Sequence, residues 1–277
     1  MRRGFLPLIY VIVSAAVMLL TSSCATLSRN GVGRVKRYTV ESEKLPPQFD
    51  GMRVAFISDL HYPSLFTNRR LGKIVTCLNR EQVDFLLLGG DYVTDNDSID
   101  SLFDVLGSVE TVYGTYAVWG NHEKRNREPV AKAMQRNGIR LLEDSVVGFC
   151  SEDASVFLVG IEDSFSYDSL SFSPDEDLPA GAFVIMLAHT PDYAERSCTA
   201  ADVVLSGHTH GGQVSMFGIY TPVKNTVYGA RFLRGCNRTT RGSTVITTNG
   251  VGTSRKKVRF CVPSEVVVVT LKSTRRR

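Results

Sequence analysis

The sequence predicts an α/β fold built as a mixed, multilayer sandwich, and three observations carry that prediction. From Met52 onward, short apolar strands alternate with amphipathic stretches in a βαβαβ rhythm. The later apolar runs follow one another with few helices between them, which calls for further strands packed in layers. The composition, 43% hydrophobic and 22% charged, is that of an ordinary globular chain. In order, Arg53–Ser58 reads as a strand, Asn68–Arg80 as a helix, Phe85–Leu88 as a strand, Ser98–Leu106 as a helix and Tyr116–Trp119 as a strand. The helical Pro129–Asn137 follows, then strands at Val156–Gly160, Phe183–Ala188, Val203–Leu205, Thr244–Thr248 and Glu265–Leu271. Ser164–Gly181, rich in Ser, Asp and Pro, reads as a surface loop, with a lid as the alternative.

Length and charge narrow the classes. A chain of 277 residues is long enough for one large layered domain. Lys and Arg exceed Asp and Glu by 32 to 28, a mild excess, so no nucleic-acid partner is expected. Six cysteines occur with no Cys-x-x-Cys spacing, which points away from a zinc knot or a thioredoxin-type site and towards free or buried thiols.

The N-terminus reads as an export or anchoring signal. Arg2 and Arg3 precede an apolar run from Phe5 to Leu20, shorter than the roughly 18 residues of a spanning helix, which favours a cleavable signal. Ser22-Ser23-Cys24 resembles the end of a bacterial lipoprotein signal, with Thr21 where such signals usually carry Leu, and Arg2-Arg3 resembles a twin-arginine export signal. Arg29, Arg34, Lys36 and Arg37 argue instead for a cytoplasmic domain, so membrane association is expected with its side left open. The resulting organisation is a signal peptide or anchor over 1–24, a juxtamembrane linker over 25–50, one folded domain over 51–272 and a basic tail over 273–277.

All five histidines lie at or just after the end of an expected strand. The strings are Asp59-Leu60-His61, Gly120-Asn121-His122-Glu123, Ala188-His189 and Gly207-His208-Thr209-His210-Gly211, and Gly89-Gly90-Asp91 completes the set. Taken singly, each is ordinary turn chemistry. Together they are not, because in an open α/β sheet ligand groups converge at the carboxyl ends of strands. Mixed imidazole and carboxylate donors suit Zn, Mn or Fe, whereas Ca and Mg favour oxygen.

In this order the strings resemble the calcineurin-like metallophosphoesterases, over a span from about Met52 to the C-terminus. The resemblance implies a four-layer αββα sandwich of two mixed sheets flanked by helices. It implies two divalent metal ions, with Mn favoured over Fe or Zn. Asp59, His61 and His210 would hold one, Asn121, His189 and His208 the other, and Asp91 would bridge them. His122 would be catalytic, donating a proton or hydrogen bond to the leaving-group oxygen. The acidic residue common in the family three positions after the bridging Asp is Thr94 here, with Asp95 next along, so no carboxylate is assigned to steer His122.

His210-Gly211-Gly212-Gln213, Pro222, Lys224, Tyr228-Gly229, Gly250-x-Gly252 and Arg259 resemble the bacterial membrane-associated branch. That branch contains phosphodiesterases and a UDP-2,3-diacylglucosamine pyrophosphatase. The expectation is therefore a phosphodiesterase or pyrophosphatase acting on a lipid-linked or membrane-proximal phosphoester, with Lys224 and Arg231 contacting substrate. The other cations, Arg234, Arg255, Lys256, Lys257 and Arg259, read as a solvated basic face or a grip on phosphate or headgroups. Two alternatives stand beside this reading: a non-catalytic metal-binding interaction protein, and a nuclease or phosphoprotein phosphatase on the same scaffold. The oligomeric state is not readable.

Overall fold

The computed structural model describes residues 10–14, 31–63, 67–151, 154–162, 172–196, 201–216 and 220–275. The apolar N-terminal run lies outside these residues apart from a helical stretch at 10–14, as do Cys24, Cys198 and residues 163–171 of the Ser/Asp/Pro-rich loop. Among the described residues, no helix is long and apolar enough to cross a membrane, and Cys77, Cys150, Cys236 and Cys261 are free thiols.

Two six-stranded sheets form the frame. The first contains β1 (Arg34–Ser42), β2 (Arg53–Ile57), β3 (Phe85–Leu88), β4 (Gly114–Ala117), β5 (Ile139–Leu141) and β12 (Glu265–Ser273), in the order β1-β12-β2-β3-β4-β5. The second contains β6 (Ser145–Ser151), β7 (Ala154–Ile161), β8 (Phe183–Ala188), β9 (Val203–Ser206), β10 (Gly235–Arg238) and β11 (Thr244–Thr247), in the order β10-β11-β9-β8-β7-β6. Within them β2, β3, β4 and β5 run parallel, as do β7, β8, β9 and β11, while β12, β6 and β10 pair antiparallel with β2, β7 and β11.

The two-residue period of the strands explains the layering. Val54, Phe56, Phe85 and Leu87 face inward and meet Leu158, Ile185, Leu187 and Leu205 of the second sheet. Ala55, Ile57, Leu86 and Leu88 face outward and are covered by three helices, α1 (Asn68–Glu81), α2 (Ile99–Leu106) and α3 (Arg127–Arg136). In α1, Leu71, Ile74, Val75 and Leu78 form the buried stripe, and the Thr67 hydroxyl caps the helix by accepting the Arg70 N–H. Two mixed sheets with flanking helices are therefore present. Over the second sheet, the cover among the described residues is thinner than an α-helical layer: Tyr193 and Ala194 of a 3-10 turn pack on it with Phe232.

Two boundaries need correction. Arg34–Ser42, expected within a linker, is β1, paired in parallel with all of β12. Only Val40 of this strand is buried, so its sequence lacks the apolar run that signals a strand. Cations along an exposed edge are a common guard against edge-to-edge pairing. At the other end Ser273 completes β12, and Arg275 of the expected free tail donates from Nε to the Glu43 carbonyl at 2.6 Å.

Candidate metal centre

Every ligand turn follows the carboxyl end of a parallel strand: Asp59 and His61 after β2, Asp91 after β3, Asn121 and His122 after β4, His189 after β8, His208 and His210 after β9. The turns are stitched by backbone hydrogen bonds that prolong the sheets, from Asp59 N–H to the Gly90 carbonyl (3.0 Å), His61 N–H to that of Asp91 (3.0 Å) and Gly207 N–H to that of His189 (2.9 Å). Asp59, His61, Asp91, His208 and His210 all have positive φ, between 46° and 65°. Non-glycine residues seldom adopt this left-handed geometry, and where they do the strain concentrates at functional sites. The turns also need close approach: a Cβ on Gly207 would stand 2.1 Å from Ser58 Oγ, and one on Gly252 1.9 Å from the Leu60 carbonyl oxygen.

Asp91 stands at the middle. Its Oδ2 is 3.4 Å from His61 Nε2, 3.5 Å from His189 Nε2 and 3.8 Å from His122 Nε2. On one side, His210 Nε2 lies 3.1 Å from His61 Nε2 and 3.4 Å from Asp59 Oδ1. On the other, Asn121 Oδ1 lies 2.9 Å from His208 Nδ1 and 3.1 Å from His189 Nε2. The structure thus gathers all seven expected ligands into two groups that share Asp91. In the first, the donor atoms of Asp59, His61, Asp91 and His210 all lie within 4.8 Å of one another.

The donor chemistry fits a cation. His189 Nδ1 lies 2.6 Å from the Gly89 carbonyl, so that nitrogen carries the proton and the Nε2 lone pair points at Asp91 Oδ2 and Asn121 Oδ1. A lone pair aimed at a carboxylate oxygen is repelled unless a positive charge lies between them. Burial lowers His61 to about 4, and burial together with the neighbouring His61 and Arg259 holds His210 well below its ordinary value, so both imidazoles are neutral donors. Burial pushes Asp59 up to about 6. Two buried carboxylates facing neutral rings are what a divalent ion compensates.

The profile of the family described as Calcineurin-like phosphoesterase matches residues 52–212, a stretch that contains every one of the expected ligands. The chain belongs to this family. An uncharacterized metallophosphoesterase of Aquifex aeolicus is 31% identical over 251 residues, covering 86% of this chain and 92% of the relative. Phosphodiesterase YaeI of Escherichia coli is 27% identical over 207 residues, covering 72% of this chain and 75% of the relative. Among solved structures, the NAD nucleotidase NadN of Haemophilus influenzae superposes with a TM-score of 0.50 at 14% identity, over 72% of this chain and 50% of that one, a likeness of fold alone. As a calcineurin-like phosphoesterase, the protein is a metal-dependent phosphoester hydrolase with a buried site for a divalent ion.

His122 is set apart from the ligands of this phosphoesterase site by exposure. Its side chain is 43% exposed, its ring meets the His61 ring edge to face at 4.7 Å, and its N–H donates to Asp91 Oδ1 at 2.9 Å. It opens into a cavity of about 500 Å³ also lined by Asn121, His208, Thr226 and Arg255. Thr94 does not steer it, since its hydroxyl donates to the Tyr62 carbonyl, and Asp95 accepts the Ser98 N–H ahead of α2.

The two expected substrate cations fall elsewhere. Arg231 pairs with Glu195 at 2.8 Å and donates to the Arg238 carbonyl, so its guanidinium is engaged away from the ligands. Lys224 is exposed, and the cavity is lined by the residues after it, Asn225, Thr226 and Val227, not by Lys224. Arg255 borders both this cavity and a neighbouring one of about 220 Å³ beside His61, Thr94 and His122, where Lys256 and Lys257 join it. Sequence reading also gave no role to Glu123, whose buried carboxylate accepts the N–H groups of Asp91, Tyr92 and Gly120. Nor did it anticipate that Arg259, fully buried, donates to the carbonyls of Asn249 and Gly252 beneath His210. Their local signals are a Glu within the Asn-His-Glu string and an Arg after the Gly250-x-Gly252 pair.

Proposed function

We propose that the protein hydrolyses phosphodiester or pyrophosphate bonds with two divalent ions, manganese favoured, on a lipid-linked or membrane-proximal substrate. The observation that supports the dinuclear reading is the position of Asp91 Oδ2 between His61 and His189, with a separate donor set on each side. Asp59, His61 and His210 would hold one ion and Asn121, His189 and His208 the other, with Asp91 shared. When bound, such a pair neutralises phosphoryl charge and lowers the pKa of a coordinated water towards neutrality.

The protein's own residues do the rest. Gly89 fixes the His189 tautomer through Nδ1, so that Nε2 presents its lone pair to the site. The Asp91 carboxylate, by accepting the backbone N–H of His122, anchors that turn at the open edge of the cavity, where the ring Nε2 would give a proton to the departing oxygen. Arg255, on the cavity wall, supplies fixed positive charge for phosphoryl oxygens. The N-terminal apolar run and the membrane-associated branch resembled by the C-terminal motifs support the lipid-proximal substrate.

The test is hydrolysis of bis(p-nitrophenyl) phosphate with added manganese by wild type, Asp91→Asn and His208→Ala. Activity in the wild type and its loss in both variants is the expected result. Activity that survives both substitutions, or wild-type protein carrying two ions yet inert on monoesters, diesters and pyrophosphates, overturns the reading.

A further inference from the structure

We infer that the rim of the metal cleft is a docking face for an anionic lipid bilayer, turned towards the same membrane that the N-terminal apolar run would enter. The inference builds on the membrane-proximal reading of the substrate given above and names the surface that achieves it.

The first observation is where apolar side chains are left uncovered. Beyond the helical stretch at 10–14, six large apolar residues among those described are at least 48% exposed, and five of them, Met216, Tyr220, Val223, Val227 and Val258, belong to the segments around the cleft. Val227 lines the metal cavity itself, and Val223 and Val258 line a neighbouring cavity of about 330 Å³ that reaches His210. Met216 and Tyr220 bridge to each other, and the adjoining Ser215 N–H donates to the Phe260 carbonyl, which ties these two residues to the segment bearing Val258. Exposed apolar residues scattered singly mean little, but a cluster at the mouth of a site marks an interaction surface.

The second observation is charge. From Val203 to Ser264 the chain has nine Lys and Arg residues and no Asp or Glu. Lys224, Arg255, Lys256 and Lys257 of this run are exposed, and among the described residues none of them forms an ion pair. Cations interleaved with exposed apolar side chains suit the headgroup layer of an anionic bilayer, where charge is attracted by the lipid and apolar tips are buried between acyl chains. An aqueous anion would satisfy the cations and leave the apolar tips in water.

The third observation is direction. β1 begins at Arg34 opposite Glu265, the first residue of β12. β12 runs antiparallel to β2, so the start of β1 lies at the end of the sheet where Asp59 leaves β2. Arg70 closes the arrangement, donating to the Gly31 carbonyl at 2.8 Å and to that of Val251 at 2.9 Å. The chain therefore enters the domain beside the same segment that carries Arg255, Lys256 and Val258. A domain tethered through residues preceding Gly31 has its metal cleft, not its far end, next to the tether.

The full-length chain, reconstituted in vesicles containing brominated phosphatidylcholine and about 30% phosphatidylglycerol, tests this through introduced tryptophans. Fluorescence of Tyr220→Trp and, independently, Val227→Trp is expected to be quenched relative to the wild-type background from buried Trp119. Val112→Trp, at the opposite end of the first sheet and 72% exposed, is expected to stay bright. Quenching should fall sharply in purely neutral vesicles, in the Lys256→Glu/Lys257→Glu background, and in roughly 1 M NaCl, where the screening length is about 3 Å. If neither the Tyr220→Trp nor the Val227→Trp protein is quenched, if the Val112→Trp protein is quenched equally, or if neutral vesicles quench as well as anionic ones, the docking face is overturned in favour of a soluble anion or an acidic protein at the rim. Hydrolysis of bis(p-nitrophenyl) phosphate by the wild-type preparation separates the two readings. Quenching without hydrolysis retains the docking face and removes the catalytic proposal, and hydrolysis without quenching does the reverse.

Discussion

Glu123 holds Asp91 from behind: Oε2 of the glutamate accepts the aspartate's own N–H at 3.0 Å, while the Asp91 side chain looks the other way into the ligand cluster. The same carboxylate binds the N–H groups of Tyr92 and Gly120, so one side chain joins the turn after β3 to the turn after β4. Asp91 and His122 are thereby set in one rigid unit. Glu123→Ala would strand three buried donors, a loss of at least about 3 kcal/mol. Glu123→Gln, keeping one acceptor oxygen, should lose less stability and retain some activity. Chemical denaturation of both variants beside diesterase assays checks the order.

Gly252 is required by space. A methyl group there meets the Leu60 carbonyl oxygen at 1.9 Å, and the Gly252 N–H also donates to the Asp59 carbonyl at 2.7 Å. Gly252→Ala is expected to push the Asp59 turn outward, costing about 1–3 kcal/mol. Metal content, read by elemental analysis, should fall in protein that still shows a cooperative melt.

Metal removal should act on folding as well as on activity. Ions bound to the native state alone stabilise it by mass action, about 2.7 kcal/mol at a hundredfold excess over Kd. Chelation is thus expected to lower the melting temperature, and manganese to restore it. Asp91→Asn should weaken both ions, whereas Asn121→Ala should leave close to one per chain. Equal loss in the two variants would contradict two ligand groups sharing one residue.

Glu81 clamps the edge strand. It closes α1 and pairs with Arg37 of β1 and Arg53 of β2. The hydrogen bond from Arg37 holds its carboxyl below the usual range, against the opposing effect of burial. A depressed carboxylate pKa gives stability that is present above the unfolded value of about 4.3 and disappears as pH falls through the folded value. Glu81→Gln should therefore cost about 1 kcal/mol at pH 7, discounted for the exposed Arg37, and almost nothing at strongly acidic pH. Urea melts of the two proteins at both pH values make the comparison.

The cluster of Asp59, His61, Asp91 and His210 was legible because each member sits in a short string whose residue types have few other reasons to co-occur at strand ends. Phe85–Leu88 and Phe183–Ala188 were legible for a related reason: both faces are buried, so the apolar run is continuous. The edge strands were not. β10 alternates half-buried and exposed residues and β1 buries only Val40, and nothing in Arg34–Ser42 separates a guarded edge from a linker. Arg231 was misplaced because its partner Glu195 is distant in sequence and meets it only through the packing of the second sheet. The left-handed turns were equally hidden, being imposed by tertiary bonds between Asp59, Gly90, Asp91 and His61 and not by glycine at those positions.

Those turns limit how the site can change. Five of the seven residues expected as donors occupy left-handed backbone conformations, which Asp, Asn, His and Gly tolerate better than β-branched residues do. Any retuning of ion preference, by drift or by engineering, thus has to keep side chains that tolerate a left-handed backbone, and a β-branched residue at these five places would strain the peptide. Diversity among homologues should accordingly be found in the cleft walls, while the donors themselves vary within a few letters.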